Sequence, residues 1–129
     1  MSDGALDDRG LPAGYAFKPD WEITPRELKR RMDDPAERTK VALLDVRNPD
    51  EWQTCRIEGA ELIPLGELKA RGEELRDKED LLIVTQCHHG RRSLQAAAIL
   101  SQLGYPNVLS LAGGIDLWSR DIDAKVPRY

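Results

Sequence analysis

Residues 81–103 read LLIVTQCHHGRRSLQAAAILSQL. The first five, Leu81–Thr85, are a continuous apolar run rich in β-branched side chains, the pattern of a buried strand. From Ser93 to Leu103 the pattern changes to a helical one. Ala96, Ile99, Leu100 and Leu103 fall on one face, and Gly104 is placed to stop the helix. Between strand and helix lie Gln86-Cys87-His88-His89-Gly90-Arg91-Arg92. A strand running through a short loop into a helix is half of a βαβ unit.

The same rhythm extends to both sides. Trp21–Ile23 reads as a short strand, and Thr24-Pro25-Arg26-Glu27 supplies an N-cap, a proline at the first helical position and a capping-box glutamate. Val41–Val46 is a strand interrupted only by Asp45. Asn48-Pro49-Asp50-Glu51 turns into a short helix carrying Trp52. Glu61–Ile63 reads as a strand, Gly66–Leu75 as an amphipathic helix weakened by Gly72, Val108–Leu111 as a last strand and Ile115–Arg120 as a short helix. Strand and helix alternate about five times, which predicts an α/β fold. Its expected form is a mostly parallel five-stranded central sheet with helices on both faces. In such sheets ligands bind beyond the carboxyl ends of the strands. Residues 1–20 mix Gly, Pro and Asp with scattered apolar residues and read as an arm or linker whose order the composition leaves open, with the domain at 21–129.

Composition removes several function classes. The apolar runs fall far short of the roughly 20 residues of a membrane helix. With 23 acidic against 19 basic residues the net charge is -4, which argues against a general nucleic-acid surface. The acidic start MSDGALDDRG has no basic region followed by an apolar one, so a secretory signal is not expected. The two cysteines, Cys55 and Cys87, make no disulfide framework and fit a reducing, cytoplasmic setting. The set Cys55, Cys87, His88, His89 matches no structural zinc spacing, and adjacent histidines seldom converge on one ion. No metal is expected.

Cys87 sits where a strand ends and a helix is about to begin. There the helix dipole and the unpaired N–H groups of the first turn favour thiolate over thiol. Gly90 allows a tight curl, and Arg91, Arg92 and partly charged His88 or His89 add positive potential. Between Leu81 and Ile115 there is no Asp or Glu, where even scattering would place about six. Buried strands and helices exclude acids anyway, yet the only formal charges in that stretch are the two arginines beside the cysteine.

With those residues in view, the chain resembles a single-domain rhodanese, a sulfurtransferase family. CHHGRRS (Cys87–Ser93) is similar to the family's Cys-x-x-Gly-x-Arg-Ser loop, and LLDVRNPDEW (Leu43–Trp52) to its Asp-x-Arg-x-x-x-Glu-aromatic segment. RIEGAELIPL (Arg56–Leu65) resembles the Gly-Ala-x-x-Ile-Pro box, and LAGGIDLW (Leu111–Trp118) the Gly-Gly-x-x-x-Trp box. The family often has Gly-His-Ile-Pro-Gly-Ala where this chain has Cys55-Arg56-Ile57-Glu58-Gly59-Ala60.

The resemblance implies transfer of a sulfane sulfur from a small anionic donor such as thiosulfate. The acceptor would be a small thiol, a protein or cyanide, and the route a persulfide on Cys87 with no cofactor. It assigns His88, His89, Gly90, Arg91, Arg92 and Ser93 to the anion-binding loop, with Arg92 ordering the loop or meeting the donor. Asp45 and Arg47 are expected to pair near the site, outside the chemistry. Gly113 and Gly114 would let a turn pack beneath the loop, and Trp52 and Trp118 would be packing aromatics. Cys55 reads as a turn residue, with a resolving thiol as the alternative. Rhodanese domains also occur within larger multidomain proteins. Two further readings stay open: a non-catalytic rhodanese-like binding module, and a phosphatase or arsenate reductase of related fold. Those enzymes place the arginine six positions after the cysteine, whereas here Ser93 holds that position and Arg92 comes one earlier.

Overall fold

The computed structural model describes residues 4–129. Five strands, β1 (Glu22–Ile23), β2 (Val41–Asp45), β3 (Glu61–Leu62), β4 (Leu82–Gln86) and β5 (Val108–Leu111), form one sheet in the order β1-β5-β4-β2-β3. Every pairing is parallel. In the centre Asp45 of β2 lies opposite Gln86 of β4, so both strands end at the same level. From there the chain order runs outward in opposite directions, which opens a crevice above those two ends.

Among the described residues there are six α-helices: α1 (Pro25–Asp33), α2 (Pro35–Arg38), α3 (Pro49–Thr54), α4 (Leu68–Arg71), α5 (Arg91–Gln102) and α6 (Gly114–Asp121). Neighbouring strand residues divide the core between the two faces. Leu44 and Ile83 join Leu68, Ala96, Ala97 and Leu100 on the side of α4 and α5. Leu43 and Val84 join Leu28, Leu111, Ile115 and Trp118 on the side of α1 and α6.

Three helices start alike, each with a cap residue followed by proline. Thr24 accepts from Glu27 N–H, Asp34 accepts from Ala36 N–H, and Asn48 forms a reciprocal capping box with Glu51. The sequence reading recognised the first and third and passed over Asp34-Pro35.

One segment differs from expectation, and a second, whose order the composition left open, has a defined place. Gly66–Leu75 is not one helix but 3-10 turns flanking the single turn of α4. A Cβ on Gly72 would come within 2.5 Å of the Leu103 side chain, and the Gly72 carbonyl accepts from the Tyr105 hydroxyl. Docking against the end of α5 therefore fixes this stretch over its own helical period. The segment read as an arm lies against the domain from residue 4 onward. Leu11 is fully buried with Ala112 and Leu117, and Leu6, Tyr15 and Phe17 pack around them.

Among the described residues no helix is long and apolar enough to cross a membrane.

Candidate active site

β4 delivers Cys87 to the crevice, and the helix that follows begins earlier than expected. α5 starts at Arg91 rather than Ser93, with Gly90 at its N-cap in the left-handed region, at φ 112°. The shift moves both arginines into the first helical turn, where cations oppose the dipole. It also brings unpaired N–H groups over the cysteine. Sγ of Cys87 accepts from the N–H of Gly90 at 3.1 Å and from that of Ser93 at 3.3 Å. Glycine at the cap has no side chain to offer, and the sulfur takes the place of a capping oxygen.

Ser93 ties the arrangement together. Its hydroxyl lies 3.5 Å from Sγ, donates to the Gly90 carbonyl at 3.1 Å and is 2.7 Å from the Ser110 hydroxyl on β5. Its carbonyl accepts from Thr85. Cys87 is 1% exposed, at the floor of the loop. It is held by backbone dipoles that cannot move without unwinding the helix.

A second helix clamps the loop from below. The N–H of Ile115 donates to the Cys87 carbonyl at 2.8 Å, and that of Asp116 to the His88 carbonyl at 3.0 Å. Both donors belong to the first turn of α6, so its unpaired N–H groups are spent on the loop. This approach requires Gly114, where an added Cβ would lie 2.5 Å from each of those carbonyl oxygens.

Arg92 does not face the sulfur as an unpaired cation. Its two terminal nitrogens grip Glu51 of α3 at 2.6 and 2.9 Å. Arg92, followed by the Tyr129 hydroxyl and the Asn48 N–H, holds the Glu51 carboxyl down at about 2 against burial. The same pair raises the proton affinity of Arg92. Tyr129 donates to Glu51 at 2.6 Å and accepts from Arg47 at 3.0 Å.

Arg47 and Asp45 form a fully buried ion pair at 2.7 Å. Arg47 also donates to the Cys55 carbonyl at 2.6 Å, and its Nη1 lies 3.8 Å from Cys55 Sγ. The pair thus fixes the chain at the end of α3, from which Glu51 reaches Arg92. Arg91 is exposed on the rim.

The histidines lie together rather than apart. His88 is stacked between His89 and Tyr129, with centroids 3.9 Å away on both sides. Burial first, then the neighbouring His89, lowers the proton affinity of His88. His89 Nε2 is 3.8 Å from Asp116. Donor atoms of His88, His89 and Asp116 come within 4.8 Å of one another, the one such group among the described residues that could hold a metal ion. Both Asp116 oxygens are already engaged by Arg128, at 2.9 and 3.2 Å.

Three contributors escaped the sequence reading. Glu51 was part of a quoted motif but carried no role beyond turning into α3. Tyr129 had no local signal. Tyr15, from the presumed arm, donates to Glu22 at 2.5 Å and accepts from the Gly113 N–H at 3.2 Å, bracing the turn before α6.

The Rhodanese-like domain family model matches residues 24–121, which include every element of this site except Tyr15 and the segment after α6. The chain belongs to that family. It is 35% identical over 107 residues to the probable adenylyltransferase/sulfurtransferase MoeZ of Mycobacterium tuberculosis, covering 83% of this chain and 26% of that protein. It is 37% identical over 99 residues to a sulfurtransferase of Allochromatium vinosum, covering 77% of this chain and 88% of that one. Among solved structures, a rhodanese-related protein of Thermoplasma volcanium superposes with a TM-score of 0.69 at 30% identity, over 79% of this chain and 93% of that one. This rhodanese-like chain therefore spans about a quarter of MoeZ and most of the Allochromatium protein.

Proposed function

We propose that this rhodanese-like domain is a sulfurtransferase that carries a sulfane sulfur as a persulfide on Cys87. The observation that carries the reading is the sulfur held under the Gly90 and Ser93 N–H groups at the start of α5. Backbone donors fixed around the sulfur stabilise an anion there in every state of the cycle.

With thiosulfate as donor, the Cys87 thiolate attacks the outer sulfur. A new S–S bond forms, the donor's S–S bond breaks, and its electron pair leaves with sulfite. In the second half-step an acceptor thiolate attacks the terminal sulfur of the persulfide and regenerates the Cys87 thiolate. No proton transfer is obligatory, so no general base is needed. Arg91 draws the anionic donor in, while Arg92 keeps the loop in register through Glu51. The named relatives include sulfurtransferases joined to adenylyltransferases, which supports a protein sulfur acceptor.

The test is intact-protein mass spectrometry after incubation with thiosulfate. A gain of one sulfur, about 32 Da, should appear with release of one sulfite and be absent in Cys87→Ser. A protein that never gains mass from thiosulfate or from a persulfide donor is not a sulfurtransferase, and the binding-module reading then holds.

A further inference from the structure

We infer that the segment Val126–Tyr129 is a latch across the mouth of the sulfur site and that Tyr129 determines which acceptors reach Cys87. The inference rests on the sulfurtransferase reading for its chemistry, but its geometry stands apart from it. The Tyr129 ring lies flat on His88, with an interplanar angle of 8° and centroids 3.9 Å apart. Its hydroxyl donates to Glu51 and accepts from Arg47. One side chain thus touches the residue next to Cys87 and the carboxylate that holds Arg92, joining opposite sides of the rim.

The rest of the segment brings Tyr129 there. Val126 is buried against α6, with its carbonyl accepting from the Ser119 hydroxyl, and Arg128 grips Asp116 in the first turn of the same helix. Tyr129 itself stays 43% exposed. It is held by the stack on His88, two hydrogen bonds and the Arg47 guanidinium 5.8 Å from its ring centroid instead of burial, a set that can open locally while the core stays closed.

A persulfide extends the Cys87 side chain by one S–S bond of about 2.05 Å. The added sulfur must lie outward of the floor, towards the mouth that Tyr129 spans. While the latch is shut the persulfide is screened from diffusible thiols bulkier than the thiosulfate that loads it. An acceptor large enough to displace Tyr129 from His88 and Glu51 gains access as it docks. The latch therefore favours a macromolecular acceptor over small thiols.

The experiment compares the full chain with Tyr129→Ala and Tyr129→Phe. Peptide mass mapping follows alkylation of Cys87 by iodoacetamide and by the bulkier N-ethylmaleimide. Hydrogen exchange of the β4 amides, at the centre of the sheet, reports global opening in the same variants. The alanine variant should label Cys87 on the order of ten-fold faster, with the larger gain for N-ethylmaleimide and no change in exchange at β4. The phenylalanine variant, which keeps the stack and loses the hydroxyl bonds, should lie between. In persulfide-loaded protein the alanine variant should lose its extra sulfur to glutathione faster by a similar factor.

Cys87 labelling within two-fold of the parent in the alanine variant would overturn the latch, as would equal acceleration of exchange at β4. Failure to load a persulfide would remove the sulfurtransferase reading and leave the labelling result to decide the latch.

Discussion

Gly114→Ala tests the clamp between α6 and the Cys87 loop. Gly114 has φ 63°, which costs a non-glycine residue about 1 kcal/mol. The added Cβ would sit 2.5 Å from the Cys87 and His88 carbonyl oxygens, well inside contact distance, and those atoms are backbone that cannot rotate away. Relief requires α6 and the loop to separate by somewhat under 1 Å. That separation strains the bonds from Ile115 and Asp116 N–H, at 2.8 and 3.0 Å, each worth about 1 kcal/mol. The sum is roughly 3 kcal/mol, or a fall in melting temperature on the order of 10 °C for a chain of this size. The same displacement carries the Cys87 backbone with it, and a misplacement of about 1 Å at a reacting atom costs about a hundred-fold in rate.

Gly104→Ala is the control. Its φ of 97° carries a similar conformational cost, but nothing lies within 4 Å of the added carbon. It should lose stability by about 1 kcal/mol and keep its sulfur-transfer rate. The assay is urea unfolding together with persulfide loading on both variants. Equal stability losses, or a Gly114→Ala enzyme with parental loading rate, would refute the clamp.

Two further substitutions address the charges. Glu51→Gln should cost on the order of 2 kcal/mol at neutral pH, since the Glu51 carboxyl is held at about 2 against an ordinary 4.5 and part of that advantage is screened at the rim. A lowered carboxyl contributes fully above about 4.5 and loses its contribution as pH falls towards 2. The stability gap between parent and variant, read by urea unfolding from pH 6 to pH 2.5, should therefore close with acidification; a constant gap contradicts the ion pair. Asp45→Asn strands the fully buried Arg47 guanidinium and should cost about 3–5 kcal/mol in urea unfolding, and a loss under 1 kcal/mol would show that water reaches the pair.

The parallel sheet was legible because each of its main strands is a short apolar run separated by a helical period. The Cys87 loop was legible because one contiguous stretch carries it. What stayed hidden was assembled from distant parts of the chain. The gap in acidic residues from Leu81 to Ile115 suggested a cationic basin, yet Glu51 arrives from α3 and fills part of it. Asp116, one residue past that window, meets His89. A charge count along the sequence cannot register a partner 41 positions away. Glu51 was doubly concealed, because its place in Asn48-Pro49-Asp50-Glu51 is already explained by the capping box, in which it accepts from the Asn48 N–H at 3.0 Å. Tyr15 and Tyr129 lie outside every apolar period, and each joins a hydroxyl hydrogen bond to a ring contact made only in the folded chain. The early start of α5 had no local signal either, since arginines in a first turn oppose the dipole. Glu51 supplies the compensating charge.

The pairing of Arg92 changes where the site's attraction for anions comes from. A guanidinium with two of its nitrogens on one carboxylate is close to neutral at a distance, and a dianionic donor would have to compete with Glu51 for it. The N–H groups of Gly90 and Ser93 carry no such partner besides the sulfur itself. They belong to the helix backbone, so neither salt nor a mobile side chain can withdraw them. On the proposed cycle, the attacking sulfur and the persulfide formed on it would both be anions that differ by one atom. A fixed pair of dipoles serves both without rearranging, whereas a swinging arginine would have to be repositioned between half-steps. The arginine is better used as a strut: through Glu51 it links α5 to α3, and through Tyr129 to the rim. On this account the loop's short spacing from cysteine to arginine matters because it sets the first turn of α5 directly over the sulfur.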